Sequence, residues 1–346
     1  MTKYTLPPLR PDMVVCPNPP CGARDRIGVH SHQERRYICH TCRTTFSETK
    51  GTLLYGLHHP AWLVIVVLTL LAFGCPVPAL VAAFALDERT VADWHQKAGT
   101  HARTVQEAVV CAGQVDLGQV QADELYVKTQ RGPVWMATAM CVFSRLFVWG
   151  AVSPKRDGVL LTQVMTQVRA AARRGVPLLL AVDGLAAYPQ TICHTFRDPQ
   201  YTGRRGRPRL VVWPDLHSVQ VVKHRTGQAV TAVTRRVAYG SVAAAQEIMG
   251  ATQVLLGVIN TAYVERLNAT LRTWLPALTR RSRTPARDVA LLEARLFWTG
   301  VVYNFCHVHA TLHGTPAMAA DLTDHIWSVE ELIRRGGPSR PLHAIL

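Results

Sequence analysis

Acid is scarce in this chain. Its 346 residues include 23 Asp and Glu against 38 Lys and Arg, a formal charge of +15 with a pI near 9.8. That imbalance tells against cationic partners and favours a polyanion. From Gly51 to Leu86 there is no Asp, Glu, Lys or Arg at all, which suggests a membrane segment at first sight. Yet the apolar run Ala61 to Phe73 breaks at G-C-P-V-P after thirteen residues. A spanning helix needs about twenty, so a buried globular helix fits better and no membrane partner is expected. No apolar leader stands in M-T-K-Y-T-L-P-P-L-R, and the nine cysteines are odd in number. Both features point to a reducing, cytoplasmic setting rather than a disulfide framework. Internal repeats and long low-complexity tracts are also missing.

Four of the cysteines form two pairs, Cys16-x4-Cys21 and Cys39-x2-Cys42, with seventeen residues between them. Two knuckles at this separation read as one structural Zn²⁺ held by four thiolates, with His30, His32 and His40 as competing ligands and incidental free thiols as the plainer alternative. A segment this short has little core, so the metal would carry much of its folding free energy. Arg35 to Ile38 and Thr44 to Phe46 flank the second knuckle as in a small β-ribbon. After the uncharged helix, Ala79–Ala85 and Leu86–His95 suggest two more helices. The pattern is that of a helix-turn-helix, with Arg89, Thr90, Asp93, Trp94 and Gln96 or Lys97 on the recognition helix. A plain helical hairpin between two domains is the alternative.

From Gln119 the pattern turns to strands. Gln119–Val127, Val134–Val142 and Arg145–Val152 predict three antiparallel strands, Asp157–Arg173 a helix, and Leu178–Val182 a strand apolar on both faces. Asp183 stands where that last strand leaves the core, and Asp123 lies inside the first strand. A carboxylate in either place is costly unless solvated, paired or coordinating a cation. In N-T-A-Y-V-E-R-L-N-A-T-L-R, from Asn260 to Arg272, Val264, Leu267 and Leu271 mark an amphipathic helix with Glu265, Asn268 and Arg272 on one side. Two strand carboxylates and a helix carboxylate suit divalent metal with hard oxygen ligands. For Glu265 an ordinary pair with a nearby Arg is the rival reading.

These residues together resemble the DDE transposases with a ribonuclease H-like core, in particular insertion-sequence elements related to the insertion-sequence-one family. The motifs that carry the resemblance are A-D-E-L-Y-V (122–127), A-V-D-G (181–184), N-T-x-x-V-E-R-L-N (260–268) with Leu271 and Arg272, and Y-N-F-C-H-x-H (303–309). The resemblance implies a mixed-sheet α/β catalytic core preceded by the zinc ribbon and the helix-turn-helix. It further implies metal-dependent cleavage and strand transfer of element ends. Asp123 would bridge two Mg²⁺ or Mn²⁺ ions, Asp183 would hold one and Glu265 the other. Glu124, next to Asp123 on a strand, points to the opposite face and is expected off the cluster. His307 and His309 are expected to pack beside the site. A homo-oligomer acting on double-stranded DNA at the nucleoid is the family expectation.

The expected organisation is a zinc ribbon over 1–55, the helix-turn-helix segment over 56–115, the catalytic domain over 116–314 and a helical tail over 315–346. The catalytic domain would carry a basic insertion at about 195–258. Candidate DNA contacts are Arg89, Lys97, Lys128, Arg266, Asn268, Arg272, Arg280, Arg281 and the loop with Arg204, Arg205, Arg207 and Arg209. The R-G-R-P-R of that loop resembles an AT-hook, although general phosphate contact or a solvated loop also suits it. Asp215 and His217, near a sheet edge, are further candidates for the site. Two other functions share these features. One is a structure-selective nuclease on the same core; the other is a zinc-dependent DNA-binding regulator with an inactive core.

Overall fold

The computed structural model describes residues 8–201, 203, 206–227, 229–251, 259–279 and 285–335, and the chain forms two compact units. Arg204, Arg205, Arg280 and Arg281 lie outside the described residues. The first unit comprises residues 1–67 and 328–346, and the second comprises 68–327. Compact units therefore meet at 67/68 and 327/328, and the last helix belongs with the Cys-rich segment rather than with a separate tail.

In the first unit, strands β1 (Ile27–Ser31), β2 (Arg36–Cys39) and β3 (Thr45–Ser47) form an antiparallel sheet in that order. Its core is small: Val14, Cys16, Tyr37, Cys39 and Phe46. Helix α1 (Ala61–Ala72) is almost wholly apolar and carries the chain into the second unit. Among the described residues no helix is long and apolar enough to cross a membrane.

The second unit continues with α2 (Val77–Phe84) and α3 (Glu88–Val109), the latter capped by Asp87, whose carboxylate accepts from the Arg89 amide at 2.8 Å. Such a cap supplies an acceptor to a first-turn N–H that has no partner within the helix. Strands β4 (Gln119–Thr129), β5 (Gly132–Cys141) and β6 (Phe147–Ser153) follow as an antiparallel meander. Helix α4 (Gly158–Ala171), capped by Asp157, returns the chain to β7 (Leu178–Asp183), which pairs parallel with β4. After α5 (Ala187–Thr195) come the short strands β8 (Arg197–Gln200) and β9 (Arg209–Val212), then β10 (Leu216–Thr226) and β11 (Ala229–Tyr239). Helices α6 (Val242–Ala251), α7 (Ala262–Trp274), α8 (Val289–Phe305) and the short α9 (Pro316–Ala319) complete this unit. Helix α10 (Val329–Arg334) lies in the first unit, where Leu53 N donates to Ile333 O and Arg334 reaches Glu48 at 3.6 Å.

The main sheet is mixed, six-stranded and ordered β11-β10-β7-β4-β5-β6. The segment 195–258, expected as an insertion, thus supplies two of the six strands: β10 pairs parallel with β7, and β11 antiparallel with β10. The run Val219–Lys223 reads as a strand and lies within β10, but apolar residues occupy only part of L-H-S-V-Q-V-V-K-H-R-T, and its place inside the main sheet was not legible. Helices α4 and α5 lie on one face of the sheet and α6, α7 and α8 on the other, so both faces are covered, as parallel pairing demands.

Helices α3 and α8 pack closely. A Cβ on Gly99 would come within 2.3 Å of the Ala294 backbone, so only glycine admits this approach. Trp94 is 3% exposed and part of the core. It therefore corrects the expectation that it belongs to a DNA-facing surface: helical periodicity places it with Val91 and Ala98 on the buried stripe. A register shift in the β5–β6 pairing leaves backbone groups of Phe147 unmatched. Asn304 of α8 accepts from Phe147 N at 2.8 Å and donates to Phe147 O at 2.7 Å, while Gln106 of α3 donates to Phe147 O and Val148 O at 2.8 Å each. Buried amides here supply what the sheet cannot.

Candidate metal centres and acidic cleft

The four cysteine sulfurs of the first unit converge. Their Sγ atoms all lie within 4.8 Å of one another, with Cys16 to Cys42 at 3.6 Å and Cys21 to Cys39 at 3.7 Å. A tetrahedron of thiolates about 2.3 Å from zinc has edges of about 3.8 Å, so the spacing fits a single tetrahedral ion and is too long for disulfides. Local backbone does the placing. Cys21 N and Gly22 N both donate to Asn18 O, with Gly22 at φ +53°, while Arg43 N donates to Cys39 O with Arg43 at φ +60°. Each knuckle therefore turns tightly enough to aim two sulfurs inward. Burial pushes the Cys16 thiol up to about 12. Cys42 is drawn down to about 5 by hydrogen bonds with the side chain and backbone of Thr44. His30, His32 and His40 take no part in this cluster.

The acidic site lies in the second unit, and sheet register explains it. In the β4–β7 pair Ala122 is level with Val182, so the next residues, Asp123 and Asp183, stand side by side on neighbouring strands. Such strands are about 4.8 Å apart. Asp123 shares a face with Leu125, which packs against α7, and its Oδ2 accepts from Asn268 Nδ2 at 3.0 Å. Asn268 is held in turn by Thr138, whose hydroxyl donates to Asn268 Oδ1 at 2.8 Å. Gln121, one pleat before Asp123, is buried and serves as the cap of α7: its Oε1 accepts from Tyr263 N at 2.9 Å and Val264 N at 3.0 Å, and its Nε2 donates to Asn260 O at 2.7 Å. Glu265 is thereby fixed one turn into α7, where it accepts from the Thr261 hydroxyl at 2.8 Å and pairs with Lys223.

Asp123, Asp183 and Glu265 all line one cleft of about 680 Å³, together with Arg156, Lys223 and Arg272. Burial, followed by the charge of Asp183, raises the Asp123 carboxyl above its ordinary range. Desolvation and a neighbouring carboxylate both disfavour the charged form.

Glu124 departs from expectation. Its side chain starts toward the α5 face, where Tyr188 donates to Oε1. Nevertheless it offers an oxygen within 4.8 Å of those of Asp123 and Asp183, and it too lines the cleft. Strand alternation governs Cβ, but a glutamate near a sheet rim can bring its carboxylate back over the edge. Arg156 holds it there, donating to Glu124 Oε2 at 2.7 Å and to Asp183 Oδ2 at 2.7 Å. Burial and the Asp183 charge raise the Glu124 carboxyl as well. Arg156, Gln121 and Tyr188 were not visible as site residues in the sequence. The one available signal for Arg156 was the cation pair Lys155-Arg156 just ahead of the Asp157 helix cap, in the β6–α4 connection.

Other expected residues are placed as follows. Arg272 and Lys128 border the cleft or its extension, Asn268 is buried against Asp123, and Arg266 is exposed on α7. Arg89 and Lys97 are exposed on α3, and Arg207 and Arg209 are exposed beside β9. Asp215 and His217 do not reach the site. Asp215 precedes the start of β10, whose Leu216 is level with Leu178, while Val221 is level with Asp183. At about 3.3 Å per residue that is the opposite end of the sheet. His307 stacks on Tyr303 at 5.9 Å and meets Trp274 edge-on at 4.8 Å, a packing role outside the cleft. Comparison with known protein families finds none that matches this chain, and no curated protein matches it either.

Proposed function

We propose that the chain is a metal-dependent DNA transposase of the DDE type with a ribonuclease H-like core, cutting and joining the ends of an insertion-sequence element. One observation carries the reading: Asp123 and Asp183 on adjacent parallel strands share a cleft with Glu265 from α7. The sheet supports it, since the first strand of the meander lies inside the sheet and pairs parallel with β7, leaving the carboxylates at the β7 carboxyl end.

Asp123, Asp183 and Glu265 would hold two Mg²⁺ or Mn²⁺ ions, hard cations suited to oxygen ligands. When bound, such a pair activates the attacking hydroxyl and stabilises the leaving oxygen of a phosphodiester. The chain's own residues do the rest. Asn268, held by Thr138, fixes the orientation of Asp123. Gln121 sets the start of α7 and hence the reach of Glu265. Arg156 and Lys223 offset the acidic charge, and Arg272 and Lys128 offer cations to flanking phosphates. In the first unit Cys16, Cys21, Cys39 and Cys42 would hold one Zn²⁺ as a rigid support for DNA contact. Arg89, Lys97, Arg207, Arg209 and Arg266 are exposed cations for the same polyanion, and the active form on paired ends would be an oligomer.

The test is incubation of purified protein with the DNA ends of its own element and Mg²⁺, followed by gel analysis of cleavage and joining. Asp123→Asn, Asp183→Asn and Glu265→Gln should each abolish the products while DNA binding persists. Glu124→Gln should slow the reaction without abolishing it. An active Glu265→Gln beside a dead Glu124→Gln would move the third ligand to Glu124 and refute the assignment.

A further inference from the structure

Beside the acidic cleft lies a second cavity of about 520 Å³, bordered by Glu124, Tyr126, Lys128, Trp135, Arg156 and Arg272. Glu124, Arg156 and Arg272 border both cavities, so the two adjoin. Its composition differs from that of the cleft: three cations, two aromatic rings and a single acid that already pairs with Arg156. Tyr126 and Trp135 are direct partners across β4 and β5, with ring centroids 5.5 Å apart and planes at 72°. Tyr126 is 51% exposed, so much of its ring is open to solvent. Arg156 lies over the Trp135 ring at 5.1 Å and so links the aromatic pair to Glu124 and Asp183.

We propose that this cavity is a stacking subsite for one unpaired DNA base next to the phosphate held at the acidic cleft, with Tyr126 as its platform and Lys128 and Arg272 on the adjoining phosphates. The inference rests on the reading of the cleft as a phosphodiester site. Size and chemistry both fit. The volume lies in the range of small-ligand pockets. An aromatic face accepts any base, and nearby cations follow the backbone, the combination that single-stranded nucleic acid requires. A paired base inside a duplex has its faces covered by its neighbours, so only a frayed or extruded base can use the ring. Tyr126 follows Glu124 by two residues on the same face of β4, about 7 Å along the strand, and Glu124 is the residue of that face whose carboxylate reaches Asp123 and Asp183.

The experiment compares binding of two labelled DNAs by the full chain in magnesium-free buffer at fixed salt. One is a blunt duplex, and the other is the same duplex with four unpaired nucleotides at one 3′ end carrying a 2-aminopurine. Wild-type protein should prefer the tailed DNA and quench the 2-aminopurine. Tyr126→Ala should reduce that preference about tenfold and abolish the quenching, while blunt-duplex affinity stays within about twofold. Tyr126→Phe should retain both signals, since the ring and not the hydroxyl is used. The exposure of Tyr126 makes loss of folding an unsuitable explanation, and circular dichroism of each variant checks it. An unchanged preference in Tyr126→Ala, or no preference in wild type, overturns the subsite. Metal-dependent cutting without a Tyr126-dependent preference removes the subsite alone. A Tyr126-dependent preference without any metal-dependent cutting removes the catalytic reading instead.

Discussion

Replacing Asp123 with Asn should make the protein more stable in the absence of divalent ions. Oxygens of Asp123, Glu124 and Asp183 lie within 4.8 Å of one another. Two unit charges at that separation repel by about 3.5 kcal/mol at an effective dielectric of about 20. Partial solvation of the cleft and the Arg156 guanidinium reduce this, leaving roughly 1–2 kcal/mol to be recovered by Asp123→Asn. Asn keeps the shape and can present its carbonyl oxygen to Asn268. For a unit of this size the gain corresponds to about 2–8 °C in melting temperature. The pH dependence has a definite sign. Asp123 and Glu124 have carboxyls raised above their ordinary range, chiefly by burial, so the folded state binds those protons more tightly than the unfolded chain. The contribution of these two groups to stability is therefore greatest where both are protonated, and it falls as pH rises through their folded values. The advantage of Asp123→Asn should be small near pH 4 and full by pH 7. Magnesium should show the reverse pattern. At ten times its dissociation constant, an ion bound only by the folded state adds about 1.4 kcal/mol to wild type and little to the variant. Scanning calorimetry at pH 4 to 8, with and without Mg²⁺, measures all of this. An Asn variant no more stable than wild type at pH 7 without metal, or equally stabilised by Mg²⁺, would refute the reasoning.

Three further outcomes are expected. Purified protein should carry about one zinc per chain, and elemental analysis of the Cys39→Ser, Cys42→Ser double variant should show it gone; persistence of the zinc would exclude the four-sulfur site. Gln121→Leu removes the acceptor for two α7 amides and should cost about 1–3 kcal/mol in denaturant titration; it should also weaken Mg²⁺ binding through displacement of Glu265, and a variant as stable as wild type would count against the cap. Gly99→Ala drives a methyl into the Ala294 backbone at 2.3 Å and should cost about 1–3 kcal/mol or more, read as a lower melting temperature, whereas a neutral result would mean that α3 and α8 are not packed this closely.

Much of the architecture was legible in local pattern. Alternation in 119–127, the apolar run 178–182 and the three-and-four spacing of Val264, Leu267 and Leu271 correspond to β4, β7 and α7, because each pattern reports whether one face or both faces of its element are buried. Cysteine spacing likewise marked the four-sulfur cluster, since tight knuckles leave short-range geometry little freedom. Strands β10 and β11 were less legible: their burial comes from neighbours supplied by distant chain, and β11 is exposed over most of its length.

What local sequence determined is therefore which residues alternate, cap and turn. Only the tertiary structure decided which carboxylates meet. The parallel register of β4 on β7 sets Asp123 beside Asp183, and no local rule specifies a pairing between segments sixty residues apart. The same applies to Glu124, which alternation assigned to the far face and which Arg156, from the β6–α4 connection, draws to the same cluster. Asp215 shows the converse: its proximity to a strand was readable, but the direction of that strand put it at the wrong end of the sheet. Side-chain direction is local, whereas register, strand direction and the reach of a long side chain across a rim depend on partners that the chain acquires only on folding.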